Sequence, residues 1–200
     1  MRTALAVLVV IGIIIVAMVG VIVWGTRVNN DLVRSEQVVN EKWAQVQNVY
    51  QRRADLIPNL VETVKGFAAQ ERTVLEEVTK ARASVAGIKA TPELINDPEA
   101  FRKFQEAQSQ LGGALSRLLV TIERYPDLKS NQNFLALQSQ LEGTENRIAV
   151  ERMRYNEVVR DYNTQIKVFP DSMVASFRGF KAKAYFAAAP GSEQPPKVKF

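Results

Sequence analysis

The stretch Thr3–Thr26, TALAVLVVIGIIIVAMVGVIVWGT, has 24 residues without a charge and lies between Arg2 and Arg27. At about 1.5 Å of rise per residue, a helix of this length exceeds the roughly 30 Å hydrocarbon core of a bilayer. A helix satisfies its own main-chain hydrogen bonds, so it can cross lipid without a partner. We interpret residues 1–27 as an N-terminal transmembrane anchor.

A cleaved signal peptide is the alternative interpretation of this stretch. Such a peptide usually has an apolar region of about 7–15 residues that ends in a small-x-small cleavage site. Here the small residues near the exit are Gly20, Gly25 and Thr26, with bulky Val and Trp residues between Gly20 and Gly25. The pattern favours an uncleaved anchor, with Trp24 at headgroup level.

The composition argues against several kinds of chemistry. The chain has no Cys and no His, which excludes disulfides, thiolate metal sites and a histidine base. Neither a Gly-rich phosphate loop nor a nucleophile motif is present. Of the net charge of +5, +3 lies in residues 171–200, so the body lacks the basic stripe of a nucleic-acid-binding domain. We therefore predict no catalytic residues, no cofactor and no metal, and a protein that is not an enzyme.

Apolar residues recur at helical period from Val28 to about Phe169. Capping residues and prolines interrupt the pattern at 55–58, 88–98, 125–127 and 169–171, which predicts helices near 28–54, 56–88, 98–125 and 131–169. Their heptad stripes are typical of coiled-coil-like packing in a four-helix bundle. The predicted fold is all-α: an N-terminal transmembrane helix, a long antiparallel four-helix bundle at 28–170, a short amphipathic C-terminal helix at 171–187 and a flexible, Pro-containing tail at 188–200.

Several ordered motifs carry a resemblance to a known family. They are RADLIPNLVETVKGF at 53–67, YPDLK at 125–129, NF at 133–134, TENRI at 144–148, RYN at 154–156 and YN at 162–163. In this order they resemble the motifs of the LemA family. The resemblance implies a bacterial membrane protein with one N-terminal spanning helix and an antiparallel helical bundle. We predict that it lies in the inner (cytoplasmic) membrane.

Polar residues on the apolar stripes are the first candidates for a site. Glu71 takes the place of an apolar residue in the second predicted helix, and Glu145 and Arg152 lie one heptad apart in the fourth. Antiparallel packing could bring Glu71 close to an arginine of the fourth helix. A polar core layer of this kind commonly fixes register, and we prefer that interpretation to a ligand or cation site between the helices.

Two segments are candidates for contacts between protomers. Asp55, Leu56 and Ile57 either form a simple capping turn or meet a neighbouring copy. The stretch 174–186 alternates aromatic and basic residues, and its aromatic members are Phe177, Phe180, Tyr185 and Phe186. It could lie on anionic lipid, dock on a protomer or close the open end of the bundle, and packing on protein is our preference.

One face of the anchor also suggests self-association. Gly12, Gly20 and Trp24 lie on it at multiples of four residues, and small residues allow spanning helices to approach closely. From these features we predict a single-pass, membrane-anchored scaffold of the bacterial cell envelope that forms a homo-oligomer, in contact with membrane lipid and other envelope proteins. A sensor or ligand-binding bundle for a small molecule or cation is the alternative. We expect a periplasmic or external bundle, although the charge count near the anchor leans towards the cytoplasm.

Overall fold

The computed structural model describes the main chain of residues 2–187 and the side chains from Leu8 onward. The tail at 188–200, expected to be flexible, lies outside the described residues. The helices are α1 Arg2–Phe67, α2 Arg72–Ala86, α3 Pro98–Ile122, α4 Pro126–Lys129, α5 Gln132–Gln165 and α6 Asp171–Arg178, with one 3₁₀ turn at Leu94–Asn96. The all-α fold is confirmed, and no strand occurs within the described range.

The anchor and the first bundle helix form one continuous helix. α1 contains 66 residues and is therefore about 100 Å long. The predicted helix break at 55–58 does not occur, because Pro58 lies inside α1 and the chain turns only at Ala68–Glu71. Proline has no N–H and leaves the carbonyl of Ala54, four residues earlier, without its helical donor. Arg82 of α2 supplies that donor through its Nε, at 3.0 Å.

The helix starts expected near 98 and 131 are confirmed by their capping contacts. Asp97 accepts hydrogen bonds from the main-chain N–H of Glu99 and Ala100 at the start of α3, where Pro98 occupies the first turn. Asn131 accepts one from the N–H of Phe134 at the start of α5. Each cap satisfies donors that a helix start leaves free.

Four helices, α1, α2, α3 and α5, form the antiparallel bundle. Contacts between Ser35 and Gln165, and between Arg53 and Glu145, fix the antiparallel alignment of α1 and α5. The buried apolar residues separate into two clusters. The distal core lies around Leu60, Leu118 and Leu141, and the proximal core, nearer the anchor, lies around Trp43, Phe101 and Tyr155.

The C-terminal segment differs from the predicted helix at 171–187. α6 ends at Arg178 because Gly179 adopts a left-handed conformation (φ 77°), which glycine tolerates best, and the N–H of Phe180 then returns to the carbonyl of Ala175. Residues 180–187, which we name the strap, continue without helical structure along the proximal half of the bundle. There α2 has already ended at Ala86, so the strap covers a core that this helix leaves open.

Candidate functional site

A buried arginine lies between the two cores. The Arg53 side chain, on α1, is 4% exposed, and its guanidinium donates to Glu145 Oε1 of α5 at 2.8 Å. It also donates to the side-chain oxygen of Gln108 of α3 and, at 3.4 Å, to that residue's carbonyl oxygen. We name Arg53, Gln108 and Glu145 the polar layer. It joins three helices at a single level of the bundle, which suits it to setting their register.

Two features make the polar layer electrostatically unusual. Arg53 Nε is buried and has no hydrogen-bond partner among the described residues. The guanidinium also lies 5.1 Å from the centre of the Tyr50 ring. Burial raises the pKa of the Tyr50 hydroxyl, while the positive charges of Arg152 and Arg53 act in the opposite direction. Tyr50 therefore contributes a neutral ring to the edge of this layer.

The structure does not bring Glu71, Glu145 and Arg152 together. Glu71 lies at the far end of the bundle, where it accepts hydrogen bonds from Tyr125 Oη at 2.6 Å and from Arg124 at 3.2 Å. Arg152 lies over the Phe186 ring at 4.6 Å and donates to the carbonyl oxygen of Ala187 at 3.0 Å. Of the three residues expected to form one core layer, Glu145 alone belongs to it. Glu71 instead fixes the α1–α2 turn to the end of α3.

Side chains of α5 hold the strap by making the main-chain hydrogen bonds that a neighbouring β-strand would make. Asn163 accepts from the N–H of Lys183 at 2.8 Å and donates to the carbonyl oxygen of the same residue at 2.9 Å. One heptad earlier, Asn156 makes the same pair of hydrogen bonds with Phe186, both at 2.9 Å. Tyr155 Oη donates to the carbonyl oxygen of Ala184 at 2.9 Å. Both asparagines of the repeated Tyr-Asn pairs, together with Tyr155, therefore hold the strap by hydrogen bonds.

Two strap residues enter the interior. Lys183 is 5% exposed, and its ammonium group donates to Glu36 of α1 and to Asn96 of the 3₁₀ turn. Phe186 packs among Trp43, Phe101 and Tyr155, with its ring centre 4.9 Å from that of Phe101. A charge buried with two partners and an aromatic ring in a preformed cluster together fix the position of the strap.

The residues expected at protomer contacts have different environments. Ile57 and Phe186 are buried within the chain's own cores, so neither is available to a second copy. Leu56 and Phe180 are half-buried, and Asp55 accepts a hydrogen bond from Gln51 at 2.7 Å. Tyr185 and Phe177 are exposed. In the anchor, nothing lies within 4 Å of the position that a Cβ would take at Gly12 or Gly20.

Comparison with known proteins identifies the family. The model of the LemA family matches residues 42–200, which include the polar layer, the Tyr-Asn pairs and the strap. This chain belongs to the LemA family. The resemblance inferred from the ordered motifs is thereby confirmed.

Three curated relatives are similar to this chain at 26–27% identity. Magnetosome protein MamQ of Magnetospirillum gryphiswaldense is 26% identical over 182 aligned residues, which cover 83% of this chain and 67% of the relative. Magnetosome proteins MamQ 1 and MamQ 2 of Paramagnetospirillum magneticum are each 27% identical over the same coverage. Together with the long apolar helix of α1, these findings describe a membrane-associated helical protein.

The LemA region also contains an open groove. It lies between the end of α1 and α2, has a volume of about 750 Å³, and includes Val61, Lys65, Arg72, Leu75 and Lys80 in its lining. Its lining contains one acid, Glu76, beside these three cations. Across the described residues, no group of three or more Asp or Glu side chains is placed to hold a metal ion. The groove is therefore better suited to an anion with an apolar part than to a cation.

Proposed function

We propose that this LemA-family chain is a non-enzymatic, membrane-anchored scaffold that assembles with copies of itself in the bacterial cell envelope. The observation that carries the proposal is the continuity of α1, which runs without interruption from the anchor to the far end of the bundle. Because α1 has no break between lipid and bundle, the arrangement of the anchors sets the arrangement of the bundles.

The anchor supports association between copies. Its most apolar window has no residue buried by the rest of the chain. Gly12, Val16 and Gly20 follow one another at steps of four residues, and neither glycine position has a neighbour that would obstruct a second helix. Close backbone approach at small residues is a common way in which spanning helices associate.

The surface charges of the bundle support partners other than nucleic acid. Arg102 pairs with Glu99, Arg117 with Glu77, and Arg154 with Glu151. Cations neutralised in this way do not form the continuous basic stripe that a phosphate backbone requires. Membrane lipid, a second copy and other envelope proteins are the partners that we propose, without a cofactor or a catalytic site.

The mass of the assembly tests this proposal. Light scattering of the detergent-extracted chain at micromolar concentration should give a discrete multiple of 22.4 kDa. The substitution Gly20→Leu should lower that mass, whereas Met18→Phe, which adds bulk to a different face of the anchor, should leave it unchanged. A strict monomer for the natural sequence would contradict self-assembly.

The location that we propose is the inner membrane, with the bundle on the periplasmic or external side. Because the chain has no Cys, one cysteine introduced at Ser130, at the far end of the bundle, reports sidedness directly. In intact cells it should react with a membrane-impermeant maleimide. Reaction only after the cells are lysed would place the bundle in the cytoplasm instead.

The groove supports a second candidate function, a bundle that binds a small acidic ligand. Arg72 and Lys80 lie beside the apolar side chains of Val61 and Leu75. Thermal-shift measurements against a panel of carboxylate and phosphate compounds should then show stabilisation that Arg72→Gln removes and Arg52→Gln, outside the groove, does not. Stabilisation by divalent cations instead would favour a metal-binding bundle.

A further inference from the structure

The C-terminal helix lies next to the point where α1 leaves the membrane. Arg178 Nε, in the last turn of α6, donates to Asn29 Oδ1 at 2.9 Å. Ala175 of α6 belongs to the same buried cluster as Val28 and Leu32 of α1. At the other end of α6, Gln165 joins Ser35 and Asp171. The chain between Gln165 and Arg178 is therefore level with residues 28–35 of α1.

The end of α6 that meets Val28 and Asn29 lies near the headgroup layer of a bilayer. Asn29 follows Trp24 by five residues, or about 7.5 Å along the helix axis. The headgroup region on each side of the hydrocarbon core is about 5–7 Å thick. With the apolar run in the hydrocarbon and Trp24 at its boundary, the Arg178 end of α6 reaches the outer edge of the headgroup region. Ser35 follows Trp24 by eleven residues, or about 16.5 Å, so the opposite end of α6 lies farther from the membrane.

Large apolar side chains are exposed in and beside α6. Val168, Phe169, Met173 and Phe177 are 54%, 75%, 61% and 89% exposed, respectively. A single exposed apolar residue needs no explanation, but four within ten residues are typical of a surface that meets lipid or protein. We name residues 167–178, which hold all four, the corner.

Basic residues flank the apolar side chains of the corner. Lys167 and Arg178 are exposed at its two ends, and Lys181 follows in the strap. The acid of this segment, Asp171, is half-buried and faces Gln165. Apolar side chains with cations beside them are typical of protein surfaces that bind anionic membranes.

We propose that the corner contacts the bilayer that the anchor spans through its Arg178 end and inserts Phe177 into the headgroup layer. The anchor already holds the corner at the membrane, so the local lipid concentration is high and no translational freedom is lost on insertion. The corner has too few cations and apolar side chains to bring a free protein to a membrane. They are sufficient for membrane contact here because the anchor tethers the corner.

A second attachment point gives the membrane a role in orienting the bundle. A lone spanning helix can tilt within the bilayer, and its flanking anchors and neighbours decide the angle. The corner is attached to α1 through the Arg178–Asn29 contact and to α5 by chain connection. Its insertion therefore restricts the tilt of α1 and brings the base of the bundle against the headgroups.

Single-cysteine fluorescence distinguishes lipid from protein as the occupant of this surface. The full chain, which lacks Cys, would carry a bimane at F177C or M173C, with S130C at the far end of the bundle as the matched control. Each variant would be reconstituted in 3:1 phosphatidylcholine–phosphatidylglycerol vesicles, after circular dichroism has shown unchanged helix content. Two quenchers are used: lipids brominated at acyl carbons 6 and 7, and aqueous iodide.

The proposal predicts that brominated lipid quenches the probe at 177 at least threefold more than the probe at 130, with the probe at 173, one turn farther from the membrane, between them. Iodide should show the reverse order. Equal quenching by iodide at all three positions would overturn the proposal, because the corner would then face water. Protection of 173 and 177 from both quenchers would also overturn it, since a second copy or another part of the protein would then cover the corner.

Discussion

Arg82 Nε of α2 donates a hydrogen bond to the carbonyl oxygen of Ala54 in α1, across 28 residues of sequence and at 3.0 Å. This is the carbonyl that Pro58 deprives of its helical donor. The contact explains how a proline is tolerated inside a helix that continues to Phe67, about two and a half turns farther on. It also joins α2 to α1 at the level of the polar layer, next to Arg53.

The substitution Arg82→Met should lower the free energy of unfolding by about 1–2 kcal/mol, because a half-buried carbonyl loses its charged donor. The cost should shrink in a Pro58→Ala background, where the N–H of residue 58 can satisfy Ala54. Thermal unfolding of the four variants by circular dichroism measures this coupling. An equal cost of Arg82→Met in both backgrounds would show that Arg82 acts elsewhere.

The two hydrogen bonds of Asn163 with the strap should contribute more to the free energy of unfolding than an exposed asparagine of the same helix does. The change Asn163→Ala leaves the buried N–H and carbonyl of Lys183 unsatisfied, so we expect a loss of about 2–3 kcal/mol. Trypsin should then cut after Lys181 or Lys183 much faster than in the natural chain. Asn146→Ala, at an exposed position of α5, is the control and should change neither measurement. Unchanged proteolysis of the Asn163 variant would show that the strap is held by other contacts.

The polar layer should respond asymmetrically to substitution. Glu145→Ala removes the carboxylate partner of a buried guanidinium and should cost about 1–3 kcal/mol. Adding Arg53→Met to that variant should recover part of the loss, because an apolar side chain replaces the buried charge. The exposed pair of Arg102 and Glu106 provides the control, and Glu106→Ala should cost less than about 0.5 kcal/mol. If Glu145→Ala and Glu106→Ala lowered the free energy of unfolding equally, the polar layer would have no special role in stability.

Stability should fall at alkaline pH because of two buried tyrosines. Burial raises the pKa of the Tyr155 and Tyr162 phenols well above their ordinary value of about 10. The folded chain keeps both protons while the unfolded chain loses them, so stability is full below about pH 10 and declines as pH rises beyond it.

Comparison of the two Phe substitutions separates this alkaline effect from hydrogen bonding. Tyr162 Oη has no hydrogen-bond partner among the described residues, whereas Tyr155 Oη donates to Ala184. Tyr162→Phe should therefore leave the melting temperature at pH 7 nearly unchanged and reduce its decline above pH 10. Tyr155→Phe should cost about 1 kcal/mol at pH 7. If the chain with both Tyr155→Phe and Tyr162→Phe still lost its full stability above pH 10, other groups would be responsible for the alkaline effect.

Much of the fold could be predicted because its signals are local. The uncharged run predicts the spanning helix, and Asp97-Pro98 predicts the start of α3 through a cap that involves only neighbouring residues. Pro58 predicts a helix break that does not occur, because the contact that compensates for it is not local. The donor that compensates for it, Arg82, lies in another helix, and no local pattern indicates that contact.

The candidate site was less predictable because its contacts are long-range. Glu145 stands out in the sequence as a polar residue on an apolar stripe. Its partner Arg53 lies just before the expected helix break at 55–58, where no pattern indicates a role in the core. The repeated Tyr-Asn pairs were visible in the sequence, and their partner was not. An asparagine that binds main-chain groups leaves no pattern in the segment it binds, so the strap at 180–187 was predicted as helix.

Disulfide cross-linking along the anchor, in native membranes, tests self-assembly most directly. Single cysteines placed at successive positions from Leu8 to Trp24 would be oxidised and the dimer fraction measured at each. The account predicts a helical period of about 3.6 residues, with maxima on the face of Gly12, Val16 and Gly20. Uniform or absent cross-linking along the whole anchor would contradict the account, because no face of α1 would then make a specific contact with a second copy.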